Sequence, residues 1–159
     1  MATISTTEFF PAAPQRVWEF MTDAVLLQRL GACDSLRGLN AAPGELFGEG
    51  AVREVRLGAL RFVERIKKAE VGRCLEVEVL EAAGPINQEY ERVDLRPRDH
   101  GSEVTWTIRF TLKIPIFREY LSRLVAVFAK FHFRRFVRKF KAHIEAHADA
   151  HADLATASR

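Results

Sequence analysis

Residues 117–147 read FREYLSRLVAVFAKFHFRRFVRKFKAHIEAH, and the spacing of their apolar side chains predicts one long amphipathic helix. The residues before it, from about 48 to 114, predict consecutive β-strands. A single amphipathic helix must bury its apolar stripe, and the sheet offers the surface for that. The space between helix and sheet is therefore either solid core or a cavity for a ligand, and the function depends on which it is.

The apolar stripe of this helix changes direction near His132, by about a third of a turn at helical spacing. One surface cannot bury both halves equally, which predicts a bend or a separate packing partner for one half. The first stripe is Leu121, Leu124, Val125 and Phe128, and the second is Phe133, Phe136, Val137, Phe140 and Ile144.

The clearest strand covers residues 103–113, where Val104, Trp106, Ile108 and Phe110 alternate with polar residues. This pattern is typical of an antiparallel strand with one wet face. Short turns between neighbouring strands favour a meander over a parallel sheet. Further strands are predicted at 3–10, 35–39, 51–57, 60–68, 74–79 and 86–95, short helices at 14–21 and 24–30, and a polar turn at 97–101.

Length and composition indicate one globular domain, residues 1–147, followed by a flexible Ala-, His- and Asp-rich tail, 148–159. The 48% of hydrophobic residues are enough for a core, and 24 Lys and Arg against 21 Asp and Glu do not indicate a nucleic-acid partner. The two cysteines, Cys33 and Cys74, fit no metal spacing. No signal peptide or membrane span is recognised, so a cytoplasmic location is expected.

The order of elements and a set of short motifs resemble the helix-grip superfamily, also called START-like or Bet v 1-like (SRPBCC). The motifs are similar to those of the bacterial polyketide cyclase/dehydrase and lipid transport group. They are AAPQRVW at 12–18, GAVREV at 50–55, VERI at 63–66, Tyr90 before VDL at 93–95, GSEVTW at 101–106, and the closing helix.

The resemblance implies an α+β fold: a curved antiparallel sheet of six or seven strands wrapped around the long C-terminal helix, with two short helices after the first strand. It also implies a ligand cavity between sheet and helix, into which Glu64 and Tyr90 point. None of the motifs is a catalytic signature. A clear SGLP gate motif, which the hormone receptors of this superfamily carry, is lacking, so hormone sensing is not supported.

Glu64 shares a strand face with Phe62 and Ile66, so its carboxylate is predicted among apolar neighbours. A buried carboxylate must be paired or protonated, and Arg53 and Tyr90 are its natural partners. Such a group is either a polar anchor for an oxygenated ligand, or a structural ion pair at the cavity rim, or a residue that faces solvent. The apolar residues expected to line a cavity, or else to form plain core, are Phe62, Trp106, Ile108, Phe110, Leu124 and Phe128.

Two features of the last helix admit a functional and a structural interpretation. The run from Lys130 to Lys141 contains six Lys and Arg with interleaved Phe and no acid, which suits an anionic membrane surface but also a solvated outer face. His143, His147 and His151 lie at spacing four, which could hold a metal, although a solvated tail is the simpler interpretation and no metal is expected. His132 has no identifiable partner for proton transfer.

The sequence therefore predicts a protein that binds a hydrophobic small molecule: a lipid, an isoprenoid or an aromatic polyketide-like compound. A cyclase or dehydratase using the same cavity is the first alternative, with Glu64, Tyr90 or Arg53 moving protons, but binding without chemistry is favoured. The second alternative is an accessory protein that docks on an anionic membrane or a partner through the basic helix. No cofactor is expected.

Overall fold

The computed structural model describes residues 2–40, 45–84, 86–113, 127 and 130–147. In chain order the elements are β1 (Ala2–Phe10), α1 (Pro14–Met21), α2 (Ala24–Leu30), β2 (Ser35–Gly38), β3 (Val52–Leu57), β4 (Leu60–Glu70), β5 (Cys74–Ala83), β6 (Ile86–Arg98), β7 (Gly101–Leu112) and the helix α3, described at 127 and over 130–147.

The seven strands form one antiparallel sheet in the order β1-β7-β6-β5-β4-β3-β2. From β2 to β7 each strand pairs with its neighbour in sequence, so the predicted meander is confirmed. β1 instead pairs with the last strand, with Ala2 opposite Phe110 and Phe10 opposite Ser102. Antiparallel hairpins and this one long-range pair therefore build the whole sheet.

The two short helices begin and end at the residues that the sequence predicts. Pro14 occupies the first turn of α1, where its missing N–H costs no helical hydrogen bond. The Asp23 carboxylate accepts from the backbone N–H of Leu26 at 2.9 Å and caps α2. Gly31 ends α2 with φ 83°, a left-handed conformation that glycine adopts without strain.

The second apolar stripe of α3 packs against the sheet. Phe140 is fully buried, with its ring centroid 5.5 Å from that of Phe10 on β1 and 5.6 Å from that of Phe136. Val137 and Ile144 are buried beside it. The predicted face is confirmed for this half of the helix. The first stripe lies outside the described residues.

The turn between β6 and β7 is shorter than the sequence suggests. We expected a polar turn over 97–101, but β6 runs on to Arg98 and only Asp99 and His100 turn, with His100 at φ 64°. The expectation is wrong because the fixed φ of Pro97 is compatible with extended backbone at the end of a strand. Gly101 then opens β7 so close to β1 that a Cβ there would overlap the carbonyl oxygen of Phe10.

Candidate functional site

A cavity of about 510 Å³ lies between the sheet and α3. This volume is within the range of small-molecule sites in proteins. Its walls are mostly apolar and come from all parts of the fold: the inner face of the sheet, α1, α2, α3 and Phe47 in the segment before β3. Among the described residues in the walls are Ile4, Met21, Leu27, Leu57, Leu60, Ile86, Phe133 and Phe136.

Six of the residues predicted for the site line this cavity. They come from three strands, β3, β4 and β7, which present alternate side chains to the same space because successive residues of a strand point to opposite faces. Leu124 and Phe128, the two predicted helix residues, lie outside the described residues. The six are Arg53, Phe62, Glu64, Trp106, Ile108 and Phe110.

Arg53 and Glu64 form a buried ion pair in the cavity wall. They are directly opposite each other on β3 and β4, and only 5% of Arg53 and 3% of Glu64 is exposed. The Arg53 Nε and Nη2 atoms each lie 3.1 Å from Glu64 Oε2, and Nη1 donates to the Leu46 carbonyl oxygen at 3.4 Å. The guanidinium also lies 4.5 Å from the centroid of the Phe47 ring. The carboxylate predicted among apolar neighbours is thus paired, as burial requires.

Glu91 is a second carboxyl in the same cavity, and it is not among the site residues predicted from the sequence. Gln88 Nε2 donates to its Oε2 at 3.4 Å. Burial first, and then the charge of Glu64, raise the pKa of Glu91, while Arg53 and the hydrogen bond from Gln88 lower it, and the net result is a pKa of about 7. The positive charge of Arg53 therefore acts on both Glu64 and Glu91, and Glu91 changes its protonation state near neutral pH.

A β-bulge in β6 decides which of its residues face the cavity. Gln88 pairs with Phe110 and Tyr90 with Arg109, so Glu89 is the extra residue between them. Beyond the bulge, Glu91 lies opposite Ile108 on the inner face, and Tyr90 lies beside Arg109 on the outer face. The prediction that Tyr90 enters the cavity is therefore corrected: the bulge turns Tyr90 to the outer face. On that face the Arg109 guanidinium lies 5.6 Å from the centroid of the Tyr90 ring.

A signal for Glu91 was present in the sequence. It precedes Val93 and Leu95 at a spacing of two, and both of these are buried in the core. Extending that alternation backwards places Glu91 inside, whereas the Tyr90 assignment depended on the resemblance.

Two further groups near the cavity have limited chemistry. His132 lines it from α3 yet is exposed, so it marks a point where the cavity meets solvent. Cys33 is buried, and burial raises the pKa of its thiol to about 11, with Glu64 and Asp34 adding to the effect and Arg53 opposing it. This thiol stays protonated at neutral pH and is a poor nucleophile.

The histidines at the end of α3 contact an aromatic side chain. The ring centroids of His143 and His147 lie 4.1 Å apart, and that of Phe20 lies 5.2 Å from His143. His151 lies outside the described residues. In the described part of the chain, no group of three His, Cys, Asp or Glu side chains could hold a metal ion.

The antiparallel sheet, the helix laid across it and the apolar cavity between them define a helix-grip fold, the architecture of hydrophobic-ligand-binding and polyketide cyclase-like proteins. Residues 1–145 match the model of the polyketide cyclase / dehydrase and lipid transport family. The chain belongs to that family, as its motifs predicted.

Solved structures with little sequence identity share the fold. TTHA0849 from Thermus thermophilus is 18% identical, with a TM-score of 0.73 over 91% of this chain and 98% of its own. Ara h 8.0201 is 13% identical, with a TM-score of 0.63 over 91% of this chain and 98% of its own. DynU16, from the dynemicin biosynthetic locus, is 18% identical, with a TM-score of 0.61 over 90% of this chain and 47% of its own. Curated protein sequences include no match.

No helix in the described ranges is both long and apolar enough to cross a membrane.

Proposed function

We propose that the protein binds one hydrophobic small molecule, a lipid, an isoprenoid or an aromatic polyketide-like compound, in the cavity between sheet and α3. The observation that carries this proposal is a mostly apolar cavity of about 510 Å³, in whose described lining Arg53, Glu64, Gln88 and Glu91 form a polar corner. The apolar body of the ligand would lie against Trp106 and its neighbours, and its oxygen-bearing end would meet the polar corner.

Within that corner, Glu91 and Gln88 are the groups best suited to contact a ligand. The nitrogens of Arg53 already contact Glu64 and the Leu46 carbonyl. A protonated Glu91 can donate to a ligand carbonyl, and an ionised Glu91 can accept from a ligand hydroxyl. The pair Arg53–Glu64 then acts as a fixed dipole that orients the ligand, and Glu91 adapts its protonation state to the ligand.

Dye displacement and native mass spectrometry test the binding. An environment-sensitive dye such as 1-anilinonaphthalene-8-sulfonate should bind and be displaced by an apolar competitor, and native spectra of the freshly purified chain should show an adduct. Ile108→Trp places a larger ring inside the cavity and is expected to weaken dye binding at least about tenfold. Thr107→Trp puts the same side chain on the outer face of β7 and is the control. If both variants bind the dye equally, or if no ligand binds, the proposal fails.

An enzyme of the cyclase or dehydratase type is the second candidate, and the position of Glu91 favours it. A half-buried carboxyl in the cavity wall with a pKa of about 7 can both give and take a proton near neutral pH. Liquid chromatography with mass spectrometry of a poly-ketone incubated with the protein separates the two functions. A binder returns the compound unchanged, whereas a cyclase returns an isomer of the same mass with a different retention time and a dehydratase returns a product with the loss of water. Glu91→Gln then abolishes turnover but keeps binding.

A further inference from the structure

The outer face of α3 carries large apolar side chains in line with cations. Val127 is 68% exposed and Phe131 is 62% exposed. Phe131 follows Val127 by four residues, and Arg134, Arg135 and Arg138 continue the same side of the helix at spacings of three and four. This line lies opposite the buried stripe of Phe136 and Phe140.

A purely solvated face does not account for this line. Such a face is polar, whereas this one exposes more than half of Val127 and of Phe131. The stretch 130–141 instead has six Lys and Arg and no Asp or Glu, and within the described part of the chain none of the six forms an ion pair. The exposed Val127 and Phe131 lie among these cations. This combination is complementary to a surface that is anionic outside and apolar inside.

We infer that this basic-aromatic face of α3, defined as Val127, Lys130, Phe131, Arg134, Arg135 and Arg138, docks on an anionic lipid bilayer. The cations meet the headgroups, and Phe131 and Val127 enter the boundary between headgroups and acyl chains. A nucleic acid would bind the cations, but it has no apolar layer into which the exposed Val127 side chain could insert.

The docking face of α3 lies close to an opening of the cavity. His132, next to Phe131, is exposed and also lines the cavity. A bilayer held at the outer face of α3 would therefore lie beside an opening of the cavity. An apolar ligand would pass between bilayer and cavity over a short path with little exposure to water. The docking itself does not depend on what the cavity holds.

Vesicle co-sedimentation of the full chain tests the inference. With vesicles of phosphatidylcholine containing about one-third phosphatidylserine, the protein should pellet at low salt and be released as salt screens the charges. Vesicles of phosphatidylcholine alone should pellet much less of it. Replacing Lys130, Arg134, Arg135 and Arg138 by Gln should lower the partition coefficient by about fivefold for each cation removed.

Two matched controls separate the surface from general charge and apolarity. Replacing the exposed Arg29, Lys67, Arg73 and Arg96 by Gln makes the same change in net charge elsewhere and should have a much smaller effect. Phe131→Ser should lower the partition coefficient about tenfold, and Val25→Ser, at another exposed apolar position, should leave it unchanged. All substituted residues are exposed, so the fold should survive, and circular dichroism checks it.

The inference is overturned if the unsubstituted chain does not pellet, or if the two fourfold variants behave alike. It is also overturned if only the cations matter and Phe131→Ser binds normally, because that result describes a general polyanion site such as one for RNA.

Discussion

Replacing Arg53 by Met is the sharpest test of the buried polar corner. The substitution keeps an apolar chain of similar length but removes the guanidinium that lies 3.1 Å from Glu64 through two nitrogens. Glu64 is 3% exposed, so its carboxylate would be left with little hydration in place of the lost contacts. It would then share the cavity with Glu91, without the cation that serves both carboxyl groups.

The expected cost follows from this burial. Breaking a buried ion pair by removing one partner costs about 3 to 5 kcal/mol. Arg53 also loses its hydrogen bond to the Leu46 carbonyl and its contact with Phe47, which places the cost at the upper end of that range. For a domain of this size, the melting temperature should fall by about 6 to 20 °C. The loss should shrink towards pH 5, because a buried carboxylate without a cation takes up a proton as the pH falls.

Urea denaturation followed by tryptophan fluorescence measures this loss at several pH values. Arg53→Lys keeps the charge, and we expect it to cost less at neutral pH and to change little with pH. Arg56→Met removes an arginine whose side chain is 56% exposed and pairs with Glu54, and we expect a cost within about 1 kcal/mol. A loss at Arg53→Met no larger than that at Arg56→Met, or one independent of pH, would refute the reasoning.

Three other substitutions test the site and its support. Since burial raises the pKa of Glu91 to about 7, this group favours the folded state fully below the ordinary carboxyl pKa, and its contribution is lost as pH rises through 7. Glu91→Gln should therefore leave stability nearly unchanged near pH 4 and raise it at pH 8 by on the order of 3 kcal/mol; urea midpoints that differ by a constant amount at all pH values would contradict this. Phe140→Ala removes a fully buried ring that packs on Phe10 and should cost about 3 to 5 kcal/mol in the same assay, and a loss below about 1 kcal/mol would mean that α3 does not pack as described. Gly101→Ala should lower the melting temperature through an overlap with the Phe10 carbonyl, with a cost of about 1 to 3 kcal/mol, and an unchanged melting temperature would rule out the close approach of β1 and β7.

The fold was readable from the sequence because local signals and long-range patterns agree. Pro14 and Gly31 punctuate the helices, and the alternation in β7 identifies its inner face. Two predictions failed for local reasons: β6 continues through Pro97 where a turn was expected, and a bulge changes which residues of β6 face inward. The bulge at Glu89 exchanges the faces of Tyr90 and Glu91, and no residue type at that point announces it.

The candidate site was predictable where its side chains follow the alternation of a strand. The inward face of Glu64 follows from strand alternation, and its pairing with Arg53 follows from the cost of burying charge. The second carboxyl, Glu91, follows from the same alternation counted back from Val93 and Leu95, and it was missed because the resemblance placed Tyr90 inside.

The pairing of β1 with β7 also means that β1 is synthesised well before the strand with which it pairs. β1 ends at Phe10, and its partner begins only at Gly101. At synthesis rates of about 5 to 20 residues per second, the first strand waits roughly 5 to 20 seconds for the strand that completes it. During that interval the inner side of β1, including Phe10, has no sheet to cover it. The nascent chain is therefore most prone to aggregate before β7 emerges from the ribosome. Truncated chains that end before Gly101 lack β7 and should remain prone to aggregate.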